Sequence, residues 1–118
     1  MMLIDPNSLS VMVYTQPIDM RKAIDGLSVM VSNHLKESPT SGALYVFYNR
    51  GHDKLKILYW DRNGFCLFYK RLEKNRFKIP YPDSHKMVIS MQHLRWLLEG
   101  LDITKTKGYE SLNYQVFS

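Results

Sequence analysis

The stretch from Leu58 to Phe77, LYWDRNGFCLFYKRLEKNRF, contains two aromatic-rich runs joined by a short turn. Side chains alternate between the two faces of a β-strand, so Leu58 and Trp60 face one way and the residue between them faces the other. The linking residues DRNG tolerate positive φ, and the pattern therefore predicts an antiparallel hairpin. Both runs are apolar on both faces at their centres and charged toward the far end. A sheet built on this hairpin needs cover on both sides.

The strand period extends outward from this hairpin in both directions. The runs ALYVFY, LKILYW and FCLFYKRL, separated by NRGHD and DRNG, predict a three-stranded antiparallel meander from Ala43 onward. VMVYT at residues 11–15 and KMVIS at residues 86–90 predict two further strands. RFKI at residues 76–79 predicts another short one before the break at Pro80.

Two segments have the apolar spacing of a helix. Asp19 is predicted to be the N-cap of an amphipathic helix from about Met20 to Leu35, and Ser90 the N-cap of a second helix that ends near Gly100. The sequence therefore predicts an α+β fold, an antiparallel β-meander of about four to six strands packed by two helices.

The domain organisation follows from length and composition. With 118 residues and 13.9 kDa, the chain suits one domain, predicted at residues 1–103. Residues 104–118 form a polar tail with scattered aromatics, predicted to be either mobile or bound to a partner. No apolar run approaches the roughly 20 residues of a membrane-spanning helix. The first ten residues do not resemble a secretory signal, so we expect a cytoplasmic protein without a membrane partner.

Positive charge is concentrated in the middle of the chain. The formal net charge is +5, but residues 50–86 contain ten basic side chains and four acidic ones, so this segment alone carries six excess positive charges. Such a field favours polyanions, nucleic acid first. The alternative is that the lysines protect an exposed sheet edge against aggregation. Charge alone does not distinguish these two interpretations.

The sequence offers little for catalysis. Cys66 lies between apolar neighbours and is interpreted as a small hydrophobe, and the four histidines lack partners at metal-ligand spacing. Asp53 and Asp61 are interpreted as turn residues and Glu73 as an ion-pair partner of a neighbouring cation. A metal-dependent nuclease needs two or three carboxylates around its ions, so a nuclease is the weakest interpretation. We expect no catalytic residues, no metal and no cofactor.

Three motifs together resemble a known family. DMRKAIDGL (residues 19–27), GHDKLKILYWDRNGFCLFYKRLEKNRF (residues 51–77) and WLLEGLD (residues 96–102) occur in the order and at the spacing of the small transposase accessory protein of insertion-sequence-sixty-six-type elements, called TnpB or Orf-two-like. The resemblance implies a role in transposition beside a separate, larger transposase that carries the catalytic acids. Asn75 stands where relatives tend to have glycine, which fits a left-handed turn residue, and Ile79 stands where an aromatic is usual.

The leading hypothesis is a non-catalytic accessory factor for DNA transposition that binds nucleic acid through basic hairpin ends. Arg62, in the turn, is predicted to reach a groove. The side chains predicted to contact phosphates are Lys54, Lys56, Lys70, Arg71, Lys74, Arg76 and Lys78.

The alternative hypothesis is a protein adaptor. In it, the face carrying Leu58, Trp60 and Phe68, together with the tail, holds the transposase or a second copy of the chain, and the positive charge serves solubility. Trp60 is predicted to be a core aromatic, with an interface anchor as the alternative. Arg71 and Arg76 are predicted to bind a partner, and the alternative is that one of them forms a buried ion pair with Glu73.

Overall fold

The computed structural model describes residues 10–80 and 84–105. The N-terminal residues 1–9 and most of the predicted tail, residues 106–118, lie outside the described residues. The elements in chain order are β1 (Val11–Tyr14), α1 (Ile24–Asn33), β2 (Leu44–Tyr48), β3 (Lys54–Asp61), β4 (Gly64–Arg71), β5 (Lys86–Ile89), α2 (Met91–Leu98) and a short 3₁₀ turn (Ile103–Lys105). The α+β class, with two helices and a mostly antiparallel sheet, is confirmed.

The sheet has the strand order β4-β3-β2-β1-β5. The predicted meander accounts for β2, β3 and β4, which pair antiparallel in sequence. β1 instead runs parallel to β2, with Val11 opposite Leu44, and β5 pairs antiparallel with the other side of β1. A parallel pair needs a long crossover connection, and the segment containing α1 supplies it. The strand patterns predict the existence of β1 but not this crossover pairing.

Helix α1 is shorter than predicted, and Asp19 is not its N-cap. The helix begins at Ile24, and the preceding Ala23 makes no side-chain capping bond. The Asp19 carboxylate accepts a hydrogen bond from the backbone N–H of Arg21 at 2.9 Å and pairs with the Arg21 guanidinium at 2.7 Å. These hydrogen bonds lower the pKa of Asp19 to about 2, and the side-chain bond to Arg21 has the largest effect. Asp19 therefore closes a local turn instead of capping the helix. Short polar side chains do both, and the apolar periodicity of the sequence does not distinguish the two uses.

Helix α2 agrees with its sequence signals. The Ser90 hydroxyl accepts a hydrogen bond from the backbone N–H of His93 at 3.0 Å, which confirms the predicted N-cap. Gly100 follows the helix with φ of 82°, the left-handed conformation in which glycine commonly ends helices.

Each face of the sheet is covered by its own helix, as the hairpin with apolar side chains on both faces requires. On one face, Leu44, Val46 and Tyr48 pack with α2 side chains such as Leu94 and Leu97. On the other face, the core cluster is built by β1, β2, β3 and α1, and its members are Met12, Tyr14, Leu27, Met30, Val31, Leu35, Tyr45, Phe47 and Leu58. The five residues of β2 are all fully buried, as expected for a central strand covered on both sides.

The helices cover the sheet obliquely. The Lys56 ammonium on β3 reaches the chain just before α1, whereas the end of α1 lies near β1, where the rings of His34 and Tyr14 are 6.1 Å apart. On the opposite face, α2 begins beside β5 and ends near β4, since the Leu98 carbonyl accepts a hydrogen bond from Lys70 Nζ. β4 is the least covered strand, and Tyr69 on it is 50% exposed.

The segment predicted as a short strand at residues 76–79 is not one. Phe77 and Ile79 are buried in the cluster beneath α2, but no strand is assigned to them. Their apolar spacing reflects anchoring against the sheet rather than pairing within it.

Candidate nucleic-acid interface

Two loops meet at one end of the β3–β4 hairpin. The turn from Asn49 to Asp53 joins β2 to β3, and the segment from Leu72 to Lys78 follows β4. The backbone N–H of Leu72 donates to the Asp53 carbonyl, and that of Phe77 donates to the His52 carbonyl, both at 2.7 Å. These bonds fix the second loop against the first. Together the loops position six basic side chains, which we call the basic end: Arg50, Lys54, Arg71, Lys74, Arg76 and Lys78.

Asn49 organises the first loop. Its side-chain oxygen accepts hydrogen bonds from the backbone N–H groups of Asp53 and Lys54 at 3.1 and 3.0 Å. Its amide nitrogen donates to Asp53 Oδ1 at 2.7 Å. This last bond, more than the charge of Lys54, lowers the pKa of Asp53. The carboxylate thus stays ionised and serves the turn, in agreement with its interpretation as a turn residue.

Two left-handed residues shape the loops. His52 has φ of 58°, its ring meets the Tyr48 ring edge-on at 5.0 Å between centroids, and its Nδ1 lies 3.3 Å from the Phe77 carbonyl oxygen. Asn75 has φ of 69°, which confirms the prediction of a left-handed turn residue at this position. The bend at Asn75 turns the chain back toward the first loop, so that Lys74 and Arg76 flank it.

Most cations of the basic end are exposed. Arg71 pairs with Glu73 at 2.7 Å, but the two side chains are 56% and 73% exposed, so the buried ion pair considered as an alternative is not formed. That hydrogen bond raises the pKa of Arg71. Lys54 lies at 3.4 Å from the Asp53 carboxylate. Within the described part of the chain, Arg50, Lys74 and Lys78 make no side-chain hydrogen bond or ion pair that would hold them.

Two predicted phosphate contacts are used inside the protein instead. Lys56 Nζ donates to the main-chain carbonyls of Met20 and Lys22 at 2.7 and 2.8 Å, and the residue is 9% exposed. Lys70 Nζ donates to the Leu98 carbonyl at 2.7 Å. Both ammonium groups therefore fasten neighbouring segments to the hairpin, one on each face of the sheet. Neither belongs to the exposed basic surface.

Arg62 lies at the opposite end of the hairpin. It is in the turn between Asp61 and Gly64, with φ of 55°. The eight-residue strand β3 separates it from the basic end, a distance of about 27 Å at 3.3–3.4 Å per residue. Arg62 is exposed but does not share a surface with the other predicted contacts.

The residues predicted to form one partner face do not share one. Leu58 is fully buried on the α1 side, whereas Phe68 lies opposite Ile57 and packs into the cluster on the α2 side. Trp60 is half-buried, meets Phe65 edge-on at 5.0 Å, and belongs to neither core cluster of the described residues. The interpretation of Trp60 as a core aromatic is therefore wrong. It forms an aromatic pair at the hairpin turn.

Sequence reasoning missed Arg50 and Asn49. Arg50 belongs to the basic segment at residues 50–86 but is not among the predicted phosphate contacts. The asparagine four residues before Asp53 was the available signal, since Asn side chains commonly satisfy backbone groups in turns.

The described residues contain no cluster of three or more His, Cys, Asp or Glu side chains arranged to hold a metal ion. None of the helices in the described ranges has the length and apolar character needed to cross a bilayer.

The fold and the basic end together define a small α+β protein with a localised basic surface. The chain belongs to the family described as IS66 Orf2 like protein, whose model matches residues 9–108. This membership supports a transposition-associated accessory role.

Two relatives come from Sinorhizobium fredii. The uncharacterized protein y4jC is 35% identical over 99 residues, covering 84% of this chain and 85% of the relative. The uncharacterized protein y4hO is 37% identical over 101 residues, covering 86% and 88%. No solved structure matches the chain.

Proposed function

We propose that this protein is a non-catalytic accessory factor of transposition that binds DNA through its basic end, beside a separate transposase of the same element. The observation that carries the proposal is the grouping of six cations on two mutually hydrogen-bonded loops and the adjoining ends of β3 and β4. The acidic side chains around them are Asp53, Glu73 and Asp102, so positive charge remains in excess.

The available groups suit phosphate binding rather than base reading. Lysine and arginine side chains on loops contact the sugar-phosphate backbone, which positions a protein without conveying sequence. In the described residues, the basic end consists of loops and strand ends and has no helix that could enter a groove, because α1 and α2 both pack on the sheet. We therefore expect affinity for duplexes of any sequence, with the transposase supplying the choice of site.

A salt titration tests this proposal. The full chain is bound to a labelled duplex from the element end and to an unrelated duplex at several salt concentrations. If about five phosphates are contacted, the log-log slope should be roughly −4 to −5 for both duplexes. The triple variant Lys74→Gln, Arg76→Gln, Lys78→Gln should flatten the slope to roughly −2, because three contacts are lost.

The matched control neutralises three exposed cations elsewhere: Lys22→Gln, Arg62→Gln and Arg95→Gln. It changes the net charge equally, so a local binding site predicts a slope close to that of the unaltered protein. Equal weakening by both triple variants would mean that the net charge alone drives binding. No binding of either duplex at low salt would overturn the proposal.

The adaptor hypothesis has one observation of its own, the outer edge of β4. This strand has β3 on one side, and Tyr69 on it is half-exposed. An open edge with apolar side chains suits strand addition by another polypeptide. Co-purification of the transposase with the triple variant, whose DNA binding is weakened, would favour the adaptor, whereas weakening of both interactions would assign one surface to both.

A further inference from the structure

One tyrosine lies among three cations where β4 reaches the basic end. On β4, the side chains of Tyr69 and Arg71 follow Leu67 on the α1 face of the sheet. Across the ladder, Lys56 lies opposite Tyr69, and Lys54 lies opposite Arg71. Opposite residues of an antiparallel pair share a face, with Cβ atoms about 4.5–5.5 Å apart. Tyr69, Arg71, Lys54 and Lys56 therefore form one patch, which we call the tyrosine patch.

Tyr69 differs from the other apolar side chains at the surface. The described residues have three large apolar side chains that are exposed, Val29, Tyr69 and Leu101, and Tyr69 is the aromatic one. Phe65 and Leu67, which precede it in the same row, pack against the core cluster of the α1 face. Tyr69 is 50% exposed. The packing against α1 thus ends at Leu67, and the Tyr69 ring lies on an open part of the sheet.

A buried cation holds the ring from one side. Lys56 Nζ lies 5.6 Å from the centroid of the Tyr69 ring, within the range of a cation–π contact. Hydrogen bonds to the Met20 and Lys22 carbonyls fix the same ammonium group. Because the cation lies against one ring face and half of the side chain is accessible, the opposite ring face is available to a ligand. The ring is thus oriented in advance, which lowers the entropic cost of binding.

The other two cations of the patch favour an anionic ligand. Arg71 is exposed and Lys54 partly exposed, and their carboxylate partners, Glu73 and Asp53, are also at the surface, where ion pairs are weak. An oriented aromatic ring beside accessible cations suits single-stranded nucleic acid, because the cations contact phosphates while a base stacks on the ring. Bases within a duplex are stacked on one another, so an unpaired strand is the form that can use the ring.

We propose that the tyrosine patch binds an unpaired strand of DNA, with one base stacked on the open face of Tyr69 and the neighbouring phosphates bound by Arg71 and Lys54. This inference rests on the proposed function, because the two cations belong to the basic end. It adds a ligand class, single-stranded DNA, and a neutral residue that contacts it. Stacking accepts any base, so the patch agrees with a protein that does not read sequence.

The aromatic pair at the other end of the hairpin supplies a matched control. Trp60 lies opposite Phe65 and their rings meet edge-on at 5.0 Å, so each ring already has a partner. Phe65 precedes Tyr69 by four residues, or about 13 Å along the strand. Trp60→Leu therefore removes an aromatic ring from the same face of the hairpin without altering the tyrosine patch.

Fluorescence anisotropy with three labelled probes tests the proposal. The probes are an oligothymidine of about 12 nucleotides, a sugar-phosphate strand of the same length without bases, and the unrelated duplex of the salt titration. At low salt, the unaltered full chain should bind the oligothymidine at least about fivefold more tightly than the strand without bases, because one stacked base is gained.

Variants at position 69 assign this difference to the ring. Tyr69→Leu keeps an apolar side chain and should weaken oligothymidine binding about 5- to 100-fold, while binding of the other two probes changes less than about twofold. The retained duplex binding also shows that the variant is folded. Tyr69→Phe keeps the ring and should bind the oligothymidine as the unaltered chain does, and so should Trp60→Leu. Because the ring is uncharged, Tyr69→Leu should leave the salt slope on oligothymidine unchanged.

The outcomes separate this inference from the proposed function. If the unaltered chain binds none of the three probes, both are wrong. If it binds the two strands equally, or if Tyr69→Leu and Trp60→Leu weaken oligothymidine binding equally, the basic end still binds DNA but the inference about Tyr69 is overturned. Tighter binding of oligouridine than of oligothymidine would overturn it by assigning the patch to RNA. Loss of transposase co-purification in Tyr69→Leu, with oligothymidine binding unchanged, would overturn it by assigning Tyr69 to a protein partner.

Discussion

The two ends of the β3–β4 hairpin have similar turns but differ in the tertiary contacts that surround them. Each turn has a non-glycine residue with positive φ, His52 at one end and Arg62 at the other, and each has an exposed arginine. The basic end is fastened by the second loop on one side and by lysine-to-carbonyl bonds on both faces. Among the described residues, the turn at Arg62 is held by its own hairpin and by the Trp60–Phe65 pair. The local sequence determines both turns, whereas tertiary hydrogen bonds fasten the basic end to the rest of the fold.

The sharpest test of this contrast is Lys56→Met. The variant keeps the length of the stem but removes two charge-assisted hydrogen bonds and leaves the Met20 and Lys22 carbonyls without their partner. We expect the free energy of unfolding to fall by roughly 3 kcal/mol. The melting temperature should drop by more than about 10 °C.

Lys74→Met is the matched control, since its side chain is exposed at the same end of the sheet. We expect its stability to change by less than about 0.5 kcal/mol. Urea unfolding of the two variants measures the difference. Similar stability losses would mean that Lys56 does not fasten the pre-helical segment to the hairpin.

The second test compares the asparagines of the two turns. Asn49→Ala removes three side-chain hydrogen bonds that shape the first loop, and we expect a loss of roughly 2 kcal/mol. Asn63→Ala at the other turn should cost less than about 0.5 kcal/mol, because in the described residues its side chain makes no hydrogen bond. Chemical denaturation resolves both values. A costly Asn63→Ala would show that the turn at Arg62 is also held by side-chain contacts.

Trp60→Ala tests the isolated aromatic pair. Because Trp60 is half-buried and outside both core clusters, we expect a loss of roughly 1 kcal/mol, the scale of an edge-on aromatic contact. Phe47→Ala, which empties a fully buried position on β2, should cost roughly 3–5 kcal/mol. Thermal melts of both variants make the comparison. Equal losses of stability in the two variants would mean that Trp60 contributes as a core residue does.

The sequence predicts the parts of this molecule that local patterns control. Strand alternation gives the meander, and Ser90 gives the start of α2, because these depend on neighbours in sequence. β1 pairs parallel with β2 because the connection through α1 brings the chain back beside β1. No local sequence pattern predicts this position. The same limit applies to the candidate site. A lysine in a basic run looks like a phosphate ligand until the fold brings a main-chain carbonyl within its reach, as happens to Lys56 and Lys70.

The smallest expected effect concerns Glu73, which offsets part of the charge of the basic end. Its bond with Arg71 is exposed on both sides, and surface pairs contribute about 0–1 kcal/mol, so Glu73→Gln should leave stability nearly unchanged. Removing one negative charge beside Arg71 should tighten DNA binding several-fold at low salt, and the gain should shrink as salt rises.

Asp61→Asn is the control, because it removes the same charge about 27 Å away, beyond the roughly 10 Å screening length at 0.1 M salt. Fluorescence anisotropy with one duplex, read across salt concentrations, measures both variants. If Asp61→Asn tightens binding as much as Glu73→Gln does, the two ends of the hairpin are electrostatically equivalent to DNA, and the binding site does not lie at the basic end.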